Sequence, residues 1–147
     1  MRAMISDLYN SDILTLSAGL VNTRLTAPDA SARKVSKLCG SWVEIDIKME
    51  DDLVSDYALR VQACALGQAS AAILKEAIIG ARLSEVTQAY DALRAMLKSE
   101  GPPPKGRFAK LALLSGVAQY TARHNSVLLA FSAARQAIEI AAASDAG

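Results

Sequence analysis

The chain has 147 residues, enough for one hydrophobic core without disulfide staples; 52% are hydrophobic and only 5% aromatic, so that core must be built from Ala, Leu, Ile and Val. A formal net charge of +1 gives no field that would draw nucleic acid or an anionic membrane. Two cysteines are too few for a disulfide framework.

No cationic segment followed by an apolar stretch opens the chain, and no apolar run reaches bilayer-spanning length. The expectation is one domain over 1–147, cytoplasmic, with reduced thiols and with neither nucleic acid nor membrane as partner.

In chain order, Ile5 to Leu20 reads as a first helix, with Leu8, Ile13, Leu16 and Leu20 near helical spacing and Gly19 near its end. Thr23 to Ser36 is polar, and the part around Ala32 to Lys37 suits an edge strand. Trp42 to Met49 alternates: Val43, Ile45, Ile47 and Met49 are apolar, while Glu44, Asp46 and Lys48 are polar. After a turn at Glu50-Asp51-Asp52, the return strand Leu53 to Gln62 puts Leu53, Tyr57, Leu59 and Val61 on one face. A small-residue helix over 67–79 follows and stops at Gly80. A further helix over 84–98 has Ser84 as its cap, with Val86, Ala89, Tyr90, Leu93 and Leu97 as its apolar stripe. Gly101-Pro102-Pro103-Pro104 ends it. A short helix over Phe108 to Val117 and a last helix over Ser126 to Ala143 complete the chain.

Cys64 stands at the junction between the return strand and the small-residue helix. There it meets the free N–H groups and positive dipole end of the helix, which favour thiolate, both nucleophile and metal ligand. Cys39 precedes the alternating strand. Across a turn centred near Asp51, the two cysteines come from neighbouring points at the open end of the hairpin. Matching the apolar faces shifts the register by one residue and would set them on opposite faces of the pleat, unless Gly40 bulges the strand. The one histidine, His124, precedes the last helix. Cys39, Cys64 and His124 would make a Cys₂His set, suited to zinc or iron with an outside ligand in the fourth place. Nucleotide loops, a Gly-x-Ser-x-Gly elbow and His-Glu-x-x-His are all missing, so hydrolase, kinase and dehydrogenase chemistry lack their usual carriers.

The sequence resembles the NifU-N/IscU-type iron–sulfur cluster assembly scaffolds. The resemblance runs through Leu8-Tyr9-Asn10, Cys39-Gly40-Ser41, the segment Ala63 to Ser70 and the segment Arg123 to Ala130. It implies an α+β fold: a three-stranded antiparallel sheet with helices packed on one face, as in NifU- and SufE-like proteins. It also implies a nascent cluster built on three cysteines and an aspartate, with sulfur drawn from a cysteine desulfurase and the cluster passed to recipient apoproteins. Two of those four positions differ here, with Ser41 in place of the aspartate and Ser126 in place of the third cysteine. Cys39 and Cys64 carry over, and His124, two residues before Ser126, stands as the substitute ligand facing the same pocket.

Three functions stay open on this reading. The first is a scaffold-like protein, not an enzyme, holding zinc, iron or a transient iron–sulfur cluster through Cys39, Cys64 and His124. The second is a sulfur acceptor or adaptor of the assembly machinery, with Cys64 as persulfide carrier. The third is an interaction module whose site has decayed. A homodimer sharing cysteines is a further alternative.

Overall fold

The computed structural model describes residues 10–38 and 40–146. The opening segment with Asp7, Leu8 and Tyr9, Gly147, and Cys39 itself lie outside the described residues.

The element order is α1 (Ser11–Ala18), β1 (Ala30–Val35), β2 (Trp42–Glu50), β3 (Leu53–Gln62), α2 (Ala65–Ala77), α3 (Leu83–Ser99), a 3₁₀ stretch (Gly106–Gln119), a 3₁₀ turn (Thr121–Arg123) and α4 (His124–Ala146). The three strands form one antiparallel sheet in the order β1-β2-β3. The expected α+β architecture, with a three-stranded antiparallel sheet, is therefore present.

The alternating pattern of β2 decides which face is buried. Val43, Ile45 and Ile47 are fully buried, and Ile45 pairs directly with Leu59. α4 packs on β1 and β2 over this face, with α2 and α3 against α4. Asp51 and Asp52 turn the hairpin with φ of 54° and 64°, the left-handed pair that matches the twist of the flanking strands and that Asp tolerates.

The return strand departs from the expected face. Lys48 pairs with Asp56, but Met49 pairs with Val54. Ser55 is left over as the extra residue of a bulge, so the pleat reverses beyond it. Val54 therefore enters the core and Leu53 is only partly buried. The polar face is not simply solvated either. Asp46 and Arg60 are buried there. Arg60 Nη2 donates to Asp46 Oδ1 at 2.8 Å, and its Nη1 donates to the Thr23 carbonyl at 2.6 Å. The Leu25 N–H donates to Asp46 Oδ2 at 3.0 Å. The segment before β1 thus crosses the outer face of the sheet and satisfies a charge pair that would be costly if left unpaired.

Several boundaries move. β1 starts and ends two residues before the expected edge strand. α3 begins at Leu83, not after a Ser84 cap, because the Glu85 carboxylate accepts the Arg82 N–H at 3.1 Å and sets the cap two residues earlier. The stretch expected as a helix over 108–117 is 3₁₀, interrupted at Phe108 (φ −107°). Thr121–Ala143 has the length and the mean hydropathy, 1.3, of a bilayer-spanning segment, a run the sequence reading overlooked because Arg135 and Gln136 interrupt it. In the fold most of it is buried: Val127, Phe131, Ala134 and Ile138 all lie in the core.

Candidate functional site

Three segments meet at the open end of the hairpin: the β1–β2 connection, the junction of β3 with α2, and the 3₁₀ turn with the start of α4. They enclose a cavity of about 260 Å³ lined by Gly40 and Ser41 from the first, Gln62, Ala63 and Cys64 from the second, and Ala122, Arg123 and Ser126 from the third.

Each element is placed by local chemistry. The Ser36 N–H donates to the Ser41 carbonyl at 2.8 Å and the Gly40 N–H to the Ser36 carbonyl at 2.9 Å, which closes the connection into a tight loop. Gly40 takes φ +71° there, a conformation that suits glycine. Cys64 is the N-cap residue of α2, with extended backbone angles. α2 and α4 run close together because their facing residues are small. The Ser70 hydroxyl donates to the Val127 carbonyl at 2.7 Å. A Cβ on Gly67 would sit 2.7 Å from Ser126 Oγ and 2.8 Å from Ala63 Cβ.

Ser126 is the hub. Its hydroxyl lies 3.5 Å from Cys64 Sγ and 3.5 Å from Ser41 Oγ, and only 2% of it is exposed. Partial burial pushes the Cys64 thiol up. The Ser126 hydroxyl, the nearby Gly67 and Leu66 N–H groups and the Arg123 charge together outweigh that and hold it below its ordinary value. Cys64 makes no formal capping hydrogen bond to α2, so the backbone N–H groups act on its sulfur as neighbouring dipoles.

The structure therefore brings Cys64, Ser41 and Ser126 together, the positions at which the family resemblance places ligands, with Arg123 beside them. It does not bring His124 to the cavity. α4 starts two residues earlier than expected, so His124 is its first residue. The residue is 4% exposed, and Nε2 sits 3.1 Å from the Ala118 carbonyl. A carbonyl only accepts, so Nε2 carries a hydrogen, while Nδ1 is buried with no hydrogen-bond partner among the described residues. Among the described residues no group of three His, Cys, Asp or Glu side chains lies close enough to hold a metal. The described donors are one thiol and two neutral hydroxyls beside a fixed positive charge, a set that does not fit a resident metal.

Gly67 is the residue that sequence reasoning missed. Its signal was present, a glycine inside a helical segment, where only a close approach repays the lost helix propensity.

Comparison with known proteins bears on the same region. The profile of the NifU-like N terminal domain matches residues 17–127. The iron–sulfur cluster assembly scaffold protein IscU of Streptococcus pyogenes serotype M1 is 27% identical over 101 residues, 69% of this chain and 64% of that protein. IscU of Thermotoga maritima is 29% identical over 101 residues, 69% of this chain and 70% of that one. The chain thus aligns with just under two thirds of the Streptococcus protein's length. Among solved structures, an N-terminal nitrogen-fixing NifU-like protein from Brucella abortus is 44% identical, with a TM-score of 0.92 over 96% of this chain and 99% of that one. A Fervidobacterium islandicum protein described as a scaffold for the SUF system superposes with a TM-score of 0.82 over 92% of this chain and 99% of that one. At 19% identity, that second likeness speaks to the fold alone. With the profile spanning the sheet, the central helices and both flanks of the cavity, the chain belongs to the NifU-like N-terminal domain family.

Proposed function

We propose that this chain serves iron–sulfur cluster assembly as a scaffold-like protein, with iron, zinc or a nascent cluster as transient cargo and Cys39 and Cys64 as its thiolate ligands. The observation that carries the reading is the cavity where Cys64, Ser41 and Ser126 converge. The family membership and the IscU relatives support it. Two thiolates beside two hydroxyls leave coordination incomplete, so the remaining ligands come from a partner: a cysteine desulfurase, a recipient apoprotein or a second copy of the chain. His124 joins the set only by giving up its Ala118 contact. Anaerobic analysis of iron, zinc and sulfide in untagged protein tests this. Substoichiometric metal that disappears in Cys64→Ser is expected. Metal content equal in the two proteins would remove Cys64 from the set.

One observation favours a second reading, in which Cys64 accepts sulfur. A hydroxyl and a guanidinium stabilise its thiolate without supplying ligands. The thiolate would attack the terminal sulfur of a donor persulfide. A new S–S bond forms on Cys64, the donor S–S bond breaks, and the donor leaves as thiolate. Incubation with a cysteine desulfurase and cysteine, followed by persulfide labelling, separates the readings. Label on Cys64 in metal-free protein supports sulfur transfer, and none supports the scaffold role.

A further inference from the structure

A second concavity lies on the far side of the loop that carries Gly40 and Ser41. Its cavity volume is about 400 Å³. Its floor is one stripe of α4, with Asn125, Leu128, Leu129 and Ser132 at helical spacing, and Tyr90 of α3 also lines it. Its rim is the end of β1 and the loop after it, where Leu38 is 82% and Val35 51% exposed. Two large aliphatic side chains held in water, beside a floor where Leu128 and Leu129 lie between the polar Asn125 and Ser132, form a patch of the kind that marks an interaction site. Lys34 and Lys37 also stand on this rim, and among the described residues no carboxylate lines the groove.

We propose that this groove docks a segment of a partner protein in which large apolar side chains are flanked by carboxylates. Leu38 and Val35 close over the partner's apolar residues against Leu128 and Leu129, and Lys34 and Lys37 meet its acidic flanks. Charge complementarity selects this occupant, since a basic segment would bring like charges together at the rim. The docking goes beyond the cysteine chemistry and does not depend on it. The two sites are nonetheless neighbours: Leu38 and Ser41 belong to one loop, and Asn125 and Ser126 are consecutive on α4. A partner seated here stands beside the cavity without entering it.

The test is selection of random dodecapeptides on the wild-type protein, with counter-selection on Leu38→Glu. Leu38 is so exposed that this variant should fold; circular dichroism and the melting midpoint check it, and Val35→Glu serves as the second variant. The expected survivors carry bulky apolar residues with Asp or Glu beside them. A representative survivor should bind tenfold or more weakly to Leu38→Glu and to Lys34→Glu/Lys37→Glu, and added salt should weaken its binding to the wild type. Survivors with basic flanks, or binding indifferent to all these variants, would overturn the proposal. So would a concentration-dependent dimer of the wild type, seen by sedimentation and abolished by Leu38→Glu, because the face would then belong to a second copy. None of these readouts involves metal or persulfide, so their failure is distinct from failure of the cluster-assembly reading.

Discussion

Cys64 Sγ and Ser126 Oγ stand 3.5 Å apart, although 62 residues separate them in the chain. The contact joins the starts of α2 and α4 and sets beside the sulfur, at a helix N-terminus, a hydroxyl that can donate to its thiolate. Ser126→Ala removes that donor, so the Cys64 thiol should titrate higher and less thiolate should be present at neutral pH. Alkylation by iodoacetamide in the presence of a chelator should then slow, with its pH profile displaced to higher pH. An unshifted profile would show that Ser126 does not tune the sulfur.

Metal retention should follow the count of thiolates. The wild type should not hold a long-lived [2Fe–2S] chromophore after reconstitution, because two thiolates fall short of the usual four. Ser126→Cys places a further thiol next to Cys64 and should raise zinc retention, read by elemental analysis after gel filtration. A stable chromophore with matching iron and sulfide in the wild type would instead point to a dimer sharing cysteines.

Gly67→Ala tests the close approach of the two helices. The added Cβ would fall 2.7 Å from Ser126 Oγ, which must move. A loss of about 1–3 kcal/mol is expected from overpacking, measured by urea denaturation. Cys64 reactivity should change with it. If stability rises instead, as Gly to Ala gives in an open helix, the helices are farther apart than described.

Ile45 and Leu59 face each other across β2 and β3, both buried in the core. Truncating either to Ala should cost about 2–5 kcal/mol. The double variant should depart from the sum, since the pair shares one space. Unchanged melting midpoints for both single variants would rule out this face as the core.

Acid should weaken the outer face of the sheet. Burial pushes the Asp46 carboxyl up, but hydrogen bonds from Arg60, the Leu25 N–H and Ser31, with the Arg60 charge, bring it down from 3.8 to about 2. A depressed folded value means the contribution is complete above 3.8 and is lost as pH falls through about 2. It amounts to about 2 kcal/mol. Denaturation followed across that window should show the decline in the wild type. In Asp46→Asn the decline should be smaller, starting from a lower stability at neutral pH because Arg60 loses a buried partner.

The hairpin was legible because strict alternation in Trp42 to Met49 leaves one choice of buried face. The bulge at Ser55 was not, since nothing in Leu53-Val54-Ser55 says which residue is skipped. The helix stripes were legible wherever apolar spacing was clear, as in Val86 to Leu97. Capping was less so, because Glu85 could reach the Arg82 N–H only once both were placed. At the site, Cys64 was legible from its junction and Ser41 and Ser126 from resemblance. The orientation of the His124 ring was not, because one turn of 3₁₀ backbone before α4 directs it to Ala118.

The two serines also decide how the cavity answers a change of charge. A carboxylate there would be a permanent anion, favouring whatever cation is bound and opposing its departure. A hydroxyl carries one hydrogen that can turn. With Ser126 donating to Ser41, the Cys64 thiol can donate to Ser126 Oγ; once the sulfur is an anion, Ser126 can turn its hydrogen to it. The two serines thus solvate an anionic sulfur when one is present and add no charge of their own when it has gone, leaving Arg123 as the one charged side chain among the residues that line the cavity. The lining acts as a reversible dielectric, its hydroxyls turning to follow the charge on the sulfur and never fixing one of their own.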